Sequence, residues 1–189
     1  MQDRPNDHPS ASATDGTSQN RPELDDATID FATKIFDLAR AGDAETLRSL
    51  LEKGLPPNLR NEKGDSLVML ASYHGHLDAV RALLEHRADP DLRNNMGQTP
   101  IAGAAFKGNL PMIELLREYG ADIEGASPDG RTALMIAAMF NRTEIVDYLV
   151  AHGANVNAHD AGGNDAAAAA ARMGAPDTPA QIERIKQQH

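Results

Sequence analysis

The feature that most constrains this chain is a period of 33 residues. Glycines stand at 64, 97, 130 and 163, each 33 apart. A second column at the same step runs Gly42, Gly75, Gly108, Asn141 and Gly174. A third runs Gly54, Arg87, Gly120 and Gly153. After Gly, Asn is the residue that best tolerates left-handed backbone, so Asn141 keeps its column legible. Apolar residues keep the same step in Leu47, Val80, Ile113 and Val146, in Leu50, Leu83, Leu116 and Leu149, and in Ala71, Ala104, Ala137 and Ala170. Agreement of many columns in one register marks a tandem array of one supersecondary unit. A unit this short cannot bury an apolar face alone, so successive units must stack.

Each unit reads as turn, helix, turn, helix, loop. In one unit Asn94-Asn95-Met96-Gly97 is a turn, and Thr99-Pro100 starts a helix with Thr as N-cap and Pro in the first turn. Ile101 to Lys107 is short and Ala-rich, and Gly108 ends it. Pro111 opens a second helix with Met112, Ile113, Leu115 and Leu116 at helical spacing. Gly120-Ala121-Asp122 leads to the next turn.

These motifs resemble the ankyrin repeat. They appear as Asn94-x-x-Gly97-x-Thr99-Pro100-Ile101-Ala102-x-Ala104-Ala105-x-x-Gly108-Asn109, again as Gly130-x-Thr132-Ala133-Leu134-Met135-x-Ala137-Ala138, and at a unit end as Gly153-Ala154-Asn155-Val156-Asn157. The resemblance covers about residues 31–172. It implies an all-α ankyrin-repeat solenoid of stacked helix-turn-helix units with short hairpin-like turns. Full repeats are expected at 62–94, 95–127 and 128–160, between an N-terminal capping unit at 29–61 and a C-terminal capping unit at 161–189. In the first unit Phe31, Ile35, Phe36 and Leu38 supply the first helix, and Thr46 to Glu52 the second. In the last, Ala166 to Ala171 form a tightly packed helix capped by Asp165, and a polar helix from Thr178 to Gln188 docks through Ile182 and Ile185. The family's T-P-L-H histidine is missing, replaced by Met69, Ala102, Met135 and Ala168. The resemblance implies that this His bonds between repeats, so its loss is expected to lower stability without changing the fold.

Residues 1–28 differ in kind. They are rich in Asp, Asn, Ser, Pro, Thr and Gly and are expected to be a disordered acidic tail. Residues 1–30 hold seven acids and two Arg, half of the whole chain's net charge of −10. Such a balance argues against nucleic acid and anionic membranes as partners, because both demand a concentrated basic face. The chain has no Cys, which excludes disulfides and thiolate chemistry. No run approaches a membrane span, and Met1 to Pro22 lacks the apolar core of a secretory signal. A cytoplasmic location and a monomer are expected. Arg outnumbers Lys by 13 to 5, read as a GC-rich bacterial source.

No chemistry-bearing constellation emerges. His74-x-His76 is the best metal pair, but His76 occupies the G-H position of the repeat, and no second pair completes four ligands. His152 and His159 lie in loop regions, and Gly162-Gly163 lacks the Lys-Ser/Thr of a phosphate loop. No catalytic, cofactor-binding or metal-binding residue is expected, and no cofactor.

Binding of a protein partner is the function the resemblance implies, through the turn tips and the inner face of each first helix. The tips are Glu62-Lys63, Asn95-Met96, Pro128-Asp129 and Ala161-Gly162, followed past the glycines by Asp65, Gln98 and Arg131. The inner-helix positions are Tyr73-His74, Phe106-Lys107 and Met139-Phe140. Tyr73, Phe106 and Phe140, with Met139, are expected to form a continuous ridge, because aromatics and Met are enriched at interfaces. The competing expectation is that they tuck into the core. His74 and Lys107 would add polar specificity, Arg131 would pair with an acidic group of the partner, and Met96 would project from its tip. The role expected is an adaptor or regulator. The alternative is a secreted effector or toxin-neutralising protein, suggested by the Ser/Thr/Asn/Pro-rich tail.

Overall fold

In the computed structural model the described residues are 26–188. Ten α-helices follow one another in pairs: α1 (Asp26–Ala41) with α2 (Ala44–Glu52), α3 (Leu67–Tyr73) with α4 (Leu77–Glu85), α5 (Pro100–Lys107) with α6 (Leu110–Glu118), α7 (Ala133–Met139) with α8 (Thr143–Ala151), and α9 (Ala166–Arg172) with α10 (Thr178–Gln188). The first helices α1, α3, α5, α7 and α9 pack in succession as one layer. The second helices lie behind them, α4 between α2 and α6, and α10 against α8. The result is an all-α helical repeat solenoid.

The columns of the sequence become positions in this stack. Leu47, Val80, Ile113 and Val146 are fully buried, as are Ala71, Ala104, Ala137 and Ala170. The latter column lies in the layer where consecutive first helices pack on each other. Leu83, Leu116 and Leu149 are fully buried, while Leu50 is only partly so. Burying each large aliphatic side chain is worth roughly 1.5–3 kcal/mol, and no single unit could provide the cover.

Local chemistry sets the helix ends. The side chains of Ser66, Thr99, Thr132 and Asp165 accept the N–H groups of Met69, Ala102, Met135 and Ala168. All three glycine columns have positive φ, and their two non-glycine members share it, Asn141 at 55° and Arg87 at 65°.

The turns preceding the helices are tied to each other. Within each, Asn61, Asn94, Ser127 and Asp160 donate N–H to the carbonyls of Asp65, Gln98, Arg131 and Asn164. Between tips, Asn95 N–H donates to Lys63 O at 2.9 Å and Ala161 N–H to Asp129 O at 2.8 Å. The corresponding residue of the intervening junction is Pro128, which has no N–H to give. Arg60 donates to Gly64 O in its own turn and to Arg93 O one unit on, and Arg93 repeats this with Gly97 O and Ala126 O.

The missing T-P-L-H histidine leaves Met135 and Met69 buried in its column. Polar ties between units run elsewhere. The His76 ring bonds Arg40 O through Nε2 at 2.8 Å, Arg142 donates to Phe106 O at 3.3 Å, and Asn141 bonds both Asp177 and Thr178.

Two expectations are corrected at the N-terminal end. Residues 26–28 belong to α1 and not to the tail. The rest of the expected tail, residues 1–25, lies outside the described residues. Phe31 does not join the core that buries Ile35 and Phe36, and is 52% exposed. The 16-residue α1 is longer than the 7-residue α3 on which it packs, and among the described residues nothing covers Phe31 as Ile35 and Phe36 are covered.

At the other end Ile182 is fully buried and Ile185 packs against the core. Lys186 ties α10 to the N-cap of α9, with Nζ 2.6 Å from Asp165 Oδ2. Partial burial opposes ionisation of Asp165, but the Ala168 N–H and the Lys186 ammonium outweigh it, holding the carboxyl below its usual range. A depressed carboxyl pKa stabilises the fold above the unfolded value, near 3.9, and that stability is lost as pH falls through the folded value. Asp165→Asn is therefore expected to lower stability by roughly 0.5–1 kcal/mol at pH 7, a difference that shrinks as pH falls through the folded value. Urea unfolding of both proteins at pH 7 and along an acid series checks this, and a difference independent of pH would count against the ion pair.

Candidate protein-binding groove

The turn tips and the exposed ends of the first helices enclose a groove of about 780 Å³. Its walls rise from the turns, with Lys63 and Asp65 on the first, Met96 and Gln98 on the second, and Asp129 and Arg131 on the third. The capped helices carry the rest, because a helix fixed at its N-terminus by Ser66, Thr99 or Thr132 presents its last turn at a defined place. Tyr73 and His74 come from the end of α3, and Phe106 from the end of α5.

The floor is a column that pattern-reading passed over. Leu70, Gly103 and Ile136 stand 33 residues apart and all line the groove. A Cβ added to Gly103 would meet nothing within 4 Å. Flanked by Leu70 and Ile136, this glycine leaves an apolar recess in the middle of the floor. Glycine inside a helix costs roughly 0.5–1 kcal/mol relative to Ala, so Gly103 is not there for helix stability.

Of the six large apolar side chains exposed among the described residues, three line this groove: Tyr73 at 44%, Phe106 at 39% and Met96 at 68%. Ring contacts along the expected ridge fall in two groups. Phe106 and Phe140 meet edge to face with ring centroids 4.6 Å apart. On the other side Tyr73 abuts His74 at 5.7 Å and carries the Lys107 ammonium 4.7 Å from its ring centroid. A cation over an aromatic face is attracted by the ring quadrupole, so Lys107 is drawn across to the neighbouring unit's Tyr73. Met139 and Phe140 are half-buried and stand outside the groove lining. Phe140 stands one position later in the repeat than Tyr73 and Phe106, in the column of His74 and Lys107.

Charges in the groove are unevenly committed. Asp65 accepts from Asn94 at 3.0 Å and from Asn61 at 3.3 Å. Asp129 accepts from Ser127 and lies 3.3 Å from Arg131 Nε. Arg131, expected to face a partner's acid, is thus already engaged within its own turn. Lys63 and Lys107 enter no ion pair among the described residues.

No group of three or more His, Asp or Glu among the described residues could hold a metal ion. No helix of the described residues is long and apolar enough to cross a membrane.

Fold and groove together define a helical-repeat solenoid with one recessed, partly apolar face. A family model of three ankyrin repeats matches residues 35–127, and a model of a single ankyrin repeat matches residues 129–161. The chain belongs to the ankyrin-repeat family. It is 63% identical over 62 residues to an ankyrin repeat protein of Pseudomonas aeruginosa, a stretch that is 33% of this chain and 36% of that relative. The match thus spans about a third of either protein. The relative is bacterial, in agreement with the source read from the excess of Arg over Lys.

Proposed function

We propose that this chain is a non-enzymatic interaction module, an adaptor or regulator that holds a protein partner in the groove between its turn tips and first helices. On this reading three full repeats, 62–160, present the surface, and the units at 29–61 and 161–189 close the stack. Ankyrin repeats generally mediate protein–protein interaction. The observation that carries the reading is the gathering of Tyr73, Phe106 and Met96 on one face around the Gly103 recess. Exposed apolar surface costs solubility, and a contiguous apolar patch rimmed by polar groups marks an interaction site.

Two variants test this from opposite directions. Phe106→Ala removes an anchor and is expected to weaken partner binding by about 2 kcal/mol, with a smaller change in folding stability. Gly103→Leu fills the recess, where the added Cβ has open space. It is expected to leave stability unchanged or raise it by up to about 1 kcal/mol, yet to abolish binding. Affinity capture from a bacterial lysate with mass spectrometry, run with the parent protein and both variants, identifies the partner as the protein lost from both. A partner retained by Gly103→Leu would place the interface elsewhere.

A further inference from the structure

We infer that the groove selects an acidic peptide segment bearing one large apolar side chain, an inference that rests on the protein-binding reading above. The apolar half comes from the floor. Gly103 opens a recess between Leu70 and Ile136, with Tyr73 and Phe106 beside it. One bulky side chain fills that space.

The acidic half comes from which charges are already used. Each groove carboxylate has an internal partner, Asp65 with Asn61 and Asn94, Asp129 with Ser127 and Arg131. The guanidinium of Arg131 is used by the same pair. What remains is two ammonium groups, Lys63 on the first tip and Lys107 at the end of α5, neither in an ion pair among the described residues. Lys107 keeps its charge available while resting on Tyr73, because the ring attracts the cation without neutralising it. An incoming carboxylate meets two cations without an ionic partner, whereas an incoming Lys or Arg meets one carboxylate, Asp65, whose charge no cation already balances.

The net charge of −10 favours the opposite partner at long range. At physiological ionic strength the screening length is about 8 Å. Within that distance the local charges decide: Asp129 is balanced by Arg131, Asp65 carries one negative charge, and Lys63 on the groove wall and Lys107, which stands outside the lining over the Tyr73 ring, carry two positive ones.

The test is selection of random 12-residue peptides displayed on phage against the intact chain, followed by affinity measurement with synthetic copies of the enriched peptides. Expected are sequences rich in Asp and Glu around one Phe, Leu, Ile or Met. Their affinity should fall about tenfold or more for the Lys63→Glu/Lys107→Glu double variant, and about fivefold between 50 and 300 mM NaCl, as screening of exposed charges requires. Both substitutions are at exposed sites, and circular dichroism confirms that the variant folds. Enriched peptides that are neutral or basic, but lost on Gly103→Leu, would overturn the acidic preference and keep the groove as the binding site. Peptides insensitive to both Gly103→Leu and Phe106→Ala, or no enrichment at all, would overturn the groove reading together with this inference.

Discussion

Replacing Gly64 by Ala is expected to destabilise the protein by roughly 3 kcal/mol, far more than the same change at Gly163. Both glycines have nearly the same backbone, with φ of 77° and 76°. That conformation alone costs a side-chain-bearing residue roughly 1–2 kcal/mol. The difference lies in what is stacked above. A Cβ on Gly64 would lie 2.7 Å from the backbone N of Asn95 and 2.9 Å from Arg60 Nη2. The first of these groups donates to Lys63 O, and the second to Arg93 O. The new methyl group thus pushes the next tip away and loosens two ties between units, each worth about 1 kcal/mol. Gly163 belongs to the last tip, and a Cβ there would meet nothing within 4 Å. In a stack of this size the Gly64 variant should melt on the order of 6–12 °C lower. Equal melting temperatures for the two variants would sink this account of the tips.

Truncation after Pro176 should cost still more, on the order of 5 kcal/mol, and should melt more than it removes. The deleted segment takes away Ile182, fully buried, which is worth roughly 1.5–3 kcal/mol. It removes the Thr178 hydroxyl bond to Ala138 O at 2.6 Å and the amide bonds of Gln181 to Thr143 O and Asp147. It also strips the Lys186 ammonium from Asp165, the N-cap of α9. Every residue of α9 but Arg172 is alanine, so the helix has no large side chain of its own with which to hold on. Helix α9 is therefore expected to melt with α10. The circular dichroism signal should lose the equivalent of 18 helical residues, 7 from α9 and 11 from α10. A loss confined to 11 would mean that α7 alone suffices to hold α9 in place.

Sequence made the repeated part of this fold legible because stacking imposes the same steric demand at every step. Ala must recur where first helices touch, Gly where the chain turns with positive φ, and Thr, Ser or Asp where a helix needs its first N–H groups met. Even the irregular members obey, Arg87 and Asn141 taking the glycine conformation. Legibility failed where a residue's environment depends on a neighbour that the repeat does not supply. Phe31 has the spacing of a core residue, but among the described residues no helix covers it. Phe140 stands one position later in the repeat than Tyr73 and Phe106, in the column of His74 and Lys107, and meets Phe106 edge to face while Tyr73 takes the Lys107 ammonium. The candidate groove was legible at its rims, where Lys63, Met96, Pro128 and Asp129 of the tips line it. Its floor was missed because Gly103 lies outside all three glycine columns and inside a helix. The signal was present in Leu70, Gly103 and Ile136, a column with a hole in it.

The tips form a chain of links of unequal stiffness. Asn95 and Ala161 each fasten one tip to the one before it, whereas Pro128 leaves the tips at Met96 and Asp129 without that fastening. That joint, beside Met96 and Phe106, is held instead by the Arg93 guanidinium on Ala126 O. The step beneath these two side chains is therefore tethered through a long side chain, where its neighbours are tethered backbone to backbone.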